Sequence, residues 1–188
     1  MTDHTCSEAA GGVRFRHTQS KQFATYMLSL SREHSRPLRT SFDPIDIPRL
    51  LPRIILSDLG ADGIYTYRLL GTELLSFMGH DPTGQPVTAG VGVQAAGPIQ
   101  AAMDLMMAHP CGLRCVTSFA VDAVQVALLE YVSFPLAGVS PPQQIRHAAI
   151  LERAAWMDET RPAKAHHMEE IEGVDLGAGV ADFSAISW

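Results

Sequence analysis

From Thr18 to Ser35 the apolar residues Phe23, Tyr26, Met27 and Leu30 recur three and four positions apart, the spacing that lines one face of a helix. Thr18 or Ser20 supplies a capping hydroxyl, and Pro37 forbids extension, so the pattern predicts an N-terminal helix over 18–35. The period then falls to two. Arg53 to Leu59 and Ile64 to Leu70 alternate on either side of Gly60-Ala61-Asp62-Gly63, which reads as a hairpin. Centring the turn between Ala61 and Asp62 places Ile54, Leu56, Tyr65, Tyr67 and Leu69 on one face, assigned inward, and Arg53, Ser57, Thr66 and Arg68 on the other. Thr72 to Met78 predicts a short helix stopped by Gly79, and Gly84 to Gly97 a loop. Pro98 to His109 predicts a second helix with Pro98 in its first turn and Ile99, Ala102, Met103, Met106 and Met107 along its apolar side. Leu113 to Val121 and Val124 to Leu136 flank Asp122-Ala123 as another hairpin, with Leu113, Cys115, Thr117, Phe119, Val126, Leu128, Val132 and Phe134 on one face and Glu130 among them. Ile145 to Leu151 is the last expected strand.

The resulting order, helix-β-β-helix-helix-β-β-β, predicts an α+β domain: a five-stranded antiparallel sheet with helices packed on one face, plus the N-terminal helix. Residues 1–17 are expected to be a flexible tail and 18–155 the domain. Residues 156–188, acidic and rich in Gly and Ala, read as a tail or dimer arm, with at most a helical turn over Glu169 to Leu176.

Composition narrows the function classes. The 188 residues are 46% hydrophobic and carry a formal charge of −6, with the basic residues dispersed, which argues against phosphate-directed nucleic-acid binding. No run of about eighteen apolar residues suggests a membrane helix. Three cysteines (Cys6, Cys111, Cys115) make no disulfide framework; with no signal-peptide pattern, the expected location is cytoplasmic.

Three segments point further. Asp43 to Pro52 reads D-P-I-D-I-P-R-L-L-P, Tyr67 to Thr72 reads Y-R-L-L-G-T, and the first short helix ends in Gly79-His80-Asp81-Pro82-Thr83-Gly84. With the late strand Glu130 to Leu136 ending in Pro-Leu, they resemble a bacterial PAS-like domain family over roughly Phe23 to Leu151. The resemblance implies a cytoplasmic sensory or regulatory module and brings no catalytic residue; a homodimer, with the N-terminal helix capping the domain or dimerising, and a signalling protein as partner are further expectations. The cofactor is left unknown: there is no flavin-type Asn-Cys-Arg-Phe segment and no histidine in a haem-binding helical context.

In such a fold a ligand cavity is the core between helices and sheet. Leu56, Tyr67, Leu69, Met78, Met103, Met106, Met107, Cys115, Phe119, Leu128 and Glu130 are therefore the candidate binding residues for a small apolar molecule, the thioethers giving adaptable walls; ordinary core packing is the plainer reading. Glu130 is either a polar handle in that cavity or, through a one-residue bulge or an arginine partner, a structural carboxylate. Arg68 on the outward face, with Tyr26 and Leu30 on the N-terminal helix, are candidate partner contacts; the plainer reading of Arg68 is a surface ion pair. His109, Cys111 and Cys115 lack the second ligand pair of a zinc site. His80-Asp81 has no nucleophile in a recognisable elbow and reads as a turn. Two alternatives stay open: a ligand-free interaction adaptor with a filled core, and a small α+β enzyme working through Glu130 or His80.

Overall fold

The computed structural model describes residues 12–122, 124–154 and 164–186; the first eleven residues of the expected N-terminal tail lie outside them. Helix α1 (Thr18–Ser29) starts where the Gln19 amide donates to Nδ1 of His17 at 3.1 Å, so His17 is the cap, not Thr18 or Ser20. The helix stops at Ser29, short of the predicted 35. Beyond it β1 (Arg32–Glu33) and β2 (Arg36–Pro37) pair across His34 and Ser35, both at positive φ, the backbone of a two-residue hairpin turn. Three turns of 3-10 helix then carry the Pro-rich segment into β3 (Ile54–Leu59), followed by β4 (Tyr65–Leu70) and α2 (Thr72–Met78). Gly79 ends α2 in the left-handed region at φ 72°, as its position predicts. Gly71 has a different reason to be glycine: a Cβ there would sit 2.3 Å from the Pro52 carbonyl. That close approach locks the Y-R-L-L-G-T segment onto the end of the Pro-rich one.

Helix α3 (Val93–Ala108) begins well before the predicted Pro98, which lies inside it. The strands β5 (Gly112–Val121), β6 (Val124–Leu136) and β7 (Gln143–Arg153) fall where alternation places them, and β8 (Lys164–Val174) adds a sixth. The sheet order is β4-β3-β7-β6-β5-β8, antiparallel throughout. The expectation of a loose tail, or of helix over Glu169 to Leu176, therefore fails for 164–174. That segment pairs along the edge of β5, satisfying backbone groups that would otherwise be left open. The tail residues 155–163 are outside the described set.

Helices α2 and α3 cover one face of the sheet. On the other face α1 buries Phe23, Ala24 and Met27 against Ile54, Val132, Phe134 and Ile145, joined by Val13 and Phe15. Val13 and Phe15 thus belong to the core rather than to a flexible tail. Phe23 meets Phe134 edge-on at 5.9 Å and stacks on His147 at 5.6 Å.

Both long hairpins depart from the register that their turns alone predict. In β3–β4 the pairs are Leu59↔Tyr65 and Ser57↔Tyr67, then a bulge at Leu56/Ser57 gives Leu56↔Leu69. Tyr65 and Tyr67 consequently share a face with Ser57 and Leu59, while Ile54 and Leu56 look towards α1. In β5–β6 the pairs Val121↔Val124 and Ala120↔Gln125 agree with the turn, but a bulge between Phe119 and Ala120 shifts everything beyond to Phe119↔Ala127, Thr117↔Leu129 and Val116↔Glu130. Because side chains alternate with period two, a slip of one residue moves every side chain of β6 beyond the bulge to the face opposite its predicted one.

Candidate functional site

Between the sheet and α2–α3 lies a cavity of about 540 Å³. Its floor is the inner face of β3, β4, β7, β6 and β5, carrying Ile55, Tyr67, Arg146, Tyr131, Leu129, Cys115 and Phe119. Leu74, Phe77 and Met78 of α2 and Ile99, Ala102 and Met103 of α3 form the roof, and Ala165 and Met168 of β8 close one side. The rim carries the 80–91 segment and Lys164. Size and lining fall in the range of small-molecule sites: mostly apolar, with few polar groups.

Of the residues that alternation nominated, Tyr67, Met78, Met103, Cys115 and Phe119 line this cavity. The other six do not. Leu56 packs in the core beneath α1, and Leu69 is half exposed on the edge strand β4. Met106 is buried in the cluster with Cys111 and Phe183, and Met107 packs beside Tyr65 and Val87. Leu128 and Glu130, moved by the extra residue Val126 in β6, stand on the α1 side of the sheet. Among the proposed partner contacts, Tyr26 and Leu30 are half-buried against their own domain, and the Tyr26 hydroxyl donates to the Asp43 carbonyl at 3.1 Å. Arg68 is exposed and forms a 3.1 Å ion pair with Asp58. His80-Asp81 is the turn its sequence suggests: Asp81 accepts from the Thr83 amide at 2.9 Å and the Thr83 hydroxyl at 2.6 Å, bonds that hold its carboxyl below the usual range. Among the described residues no group of three His, Cys, Asp or Glu side chains is arranged to hold a metal.

Arg146 was not singled out by the sequence pattern. It sits mid-strand in β7, between Ile55 and Ser133 of the neighbouring strands, and is 8% exposed. Its Nε and Nη2 have no hydrogen-bond partner, and it has no ion pair among the described residues. The surrounding acids are weak ones. Burial raises the Tyr67 and Tyr131 phenols, and it pushes the Cys115 thiol up to about 11, with the Arg146 charge countering each rise. None of these groups is an anion at neutral pH that could neutralise the guanidinium. A signal was present in Gln143-Gln144-Ile145-Arg146-His147, where polar side chains fall on both faces of a buried strand.

The opposite face holds a separate, closed network. Arg114 Nε donates to Glu130 at 2.7 Å, and Nη1 donates to Glu170 at 2.5 Å. Glu130 also accepts from the backbone amides of Arg16 and His17 at 2.9 and 3.0 Å. Burial would raise the Glu170 carboxyl, but Arg114 and Arg16 hold it below the usual range. Glu130 thus has the arginine partner and the bulge that its place on an apolar strand face suggested. It is a structural carboxylate that ties the entry of α1 to the sheet. Glu130 and His80 do not converge on a common cleft, so the geometry gives no support to an enzyme built on them.

A six-stranded antiparallel sheet, with two helices roofing a largely apolar cavity on one face, defines an α+β sheet domain. Residues 15–148 match the family model described as PAS domain, and the chain belongs to that family. PAS domains are in general sensory or regulatory modules rather than catalysts. No curated protein matches the chain, and no helix among the described residues is long and apolar enough to cross a membrane.

Proposed function

We propose that this PAS domain is a cytoplasmic sensory or regulatory module of bacterial signalling that binds a small, largely apolar molecule between its helices and sheet and acts as a homodimer on a protein partner. The observation that carries the reading is the cavity of about 540 Å³ where a filled core would otherwise be. A void of this size forfeits contacts for every side chain around it, and a ligand restores them. Occupancy then biases how α2 and α3 pack on the sheet, and a ligand acts only to the extent that it binds one packing better than the other. Strand β7 offers a route outward: Arg146 faces the cavity, while the next residue, His147, stacks on Phe23 of α1. Of the nominated partner contacts, Arg68 is the one left exposed, beside Leu69 at the end of β4 beyond the part that residues 84–87 pair with, since Tyr26 and Leu30 are engaged internally.

Native mass spectrometry of the purified protein tests this against the adaptor reading. A non-protein mass that disappears on denaturation is the expected result. A ligand-free mass that stays unchanged after incubation with hydrophobic small molecules favours the adaptor. The same spectrum counts the subunits.

A further inference from the structure

We propose that the cavity ligand is a monocarboxylate with an apolar body, its carboxylate paired with Arg146 on the sheet floor. The proposal rests on the ligand-binding reading above and adds the chemistry of the ligand's head group. Its first ground is an electrostatic imbalance. A guanidinium withdrawn from bulk water is costly unless paired, yet Nε and Nη2 of Arg146 are unpartnered and the described residues supply no carboxylate to it. The second ground is position. Arg146 lines the cavity paired in register with Ser133 and one same-face step along β6 from Tyr131, so hydroxyl donors stand on the neighbouring strand. The floor and roof around it, including Leu74, Met78, Met103, Phe119, Leu129 and Met168, are apolar, and the charged and polar groups His80, Asp81, Gln85 and Lys164 are exposed at the rim.

Charge counting selects a carboxylate over a phosphate. Arginine presents a planar fork that matches a carboxylate with two parallel hydrogen bonds. It neutralises one negative charge. The other cation on the cavity, Lys164, is exposed at the rim, so a doubly charged phosphate on the floor would leave one charge buried without a partner. A neutral apolar molecule would in turn leave the guanidinium uncompensated in a site from which it expels water. A straight or ring-bearing acyl chain with one terminal carboxylate meets both demands.

Isothermal titration calorimetry of the full chain at pH 7.5 with decanoate and 3-phenylpropionate, each against its neutral primary amide, tests the assignment. The expected result is that at least one acid binds about ten- to a hundred-fold more tightly than its amide, the range of a charge-assisted hydrogen-bonded pair, and that Arg146→Met removes the difference while leaving amide binding in place. Should Arg146→Met fail to fold by circular dichroism, the acid-to-amide ratio on the unaltered protein decides alone. Equal binding of acid and amide overturns the carboxylate assignment and leaves the ligand cavity standing. If none of the four compounds binds, even after denaturation and refolding to clear a co-purified occupant, the assignment falls together with the ligand reading for molecules of this size.

Discussion

His147 is enclosed between β7 and α1, flat against Phe23, with neither ring nitrogen hydrogen-bonded among the described residues. Burial, reinforced by the positive charges of Arg53 and His17, pushes its pKa down to about 3 from the ordinary 6.5. The folded state therefore holds this ring neutral where the unfolded chain takes up a proton. A depressed pKa gives stability that is present above about pH 6.5 and is lost progressively as pH falls towards 3. Between pH 7.5 and 5.5 the loss from this ring amounts to about 1.4 kcal/mol. Urea unfolding at those two pH values is expected to show that difference in the unaltered protein and to show it diminished in His147→Leu. An undiminished difference in the variant would place the pH dependence elsewhere.

At the level of elements, α1 is held by apolar packing and by one carboxylate. Glu130 accepts from two amides at the helix entry and from buried Arg114. Glu130→Ala removes all three acceptor contacts and leaves Arg114 with Glu170 and Glu172 only. Breaking a buried pair from one side costs about 3–5 kcal/mol, so chemical denaturation is expected to show a loss of that order. Hydrogen exchange should accelerate first in 16–29; a uniform increase would mean that Glu130 does not anchor the helix specifically. The elements themselves were legible in the chain because each carries its own period: α2 with its Gly79 stop and five of the six long strands stand close to where alternation puts them. The face each strand presents was not. A bulge adds one residue without changing the local alternation, so nothing around Val126 announces the slip that turns Glu130 and Leu128 towards α1, and Leu56 faces α1 because the β3–β4 turn sits one residue from its expected register. Strand β8 was hidden for another reason: its polar residues, such as Glu169 and Glu172, resemble a solvated tail until the open edge of β5 is known. Arg146 carried only an indirect signal, the polar run Gln143 to His147, since a charged residue in a strand reads as an outward one unless the sheet is covered on both faces.

For the whole molecule, the family match ends at residue 148, yet the core continues past it. Met168, Val174, Leu176 and Phe183 are all buried. Val174 and Leu176 belong to the cluster under α1, and Phe183 packs with Met106 and Leu113. Each such side chain contributes about 1.5–3 kcal/mol on burial, so the four together rival the total stability of an ordinary domain, about 5–15 kcal/mol. Removing β8 also bares the length of β5 as a free edge with apolar side chains, the arrangement that recruits other chains. Ending the chain after Ala154 is therefore expected to abolish cooperative urea unfolding and to produce assemblies visible by light scattering. A truncated chain that stays monomeric and unfolds cooperatively would show that residues 15–148 stand alone and that β8 is an accessory. The same strand supplies Ala165 and Met168 to the cavity wall, which ties the outcome to function. In a truncated chain that did fold, the cavity would open on the β5 side, and decanoate affinity should drop even though Arg146 is untouched. Stability and ligand retention would then depend on one segment outside the matched family span, so the cavity belongs to the six-stranded molecule rather than to the five-stranded module alone.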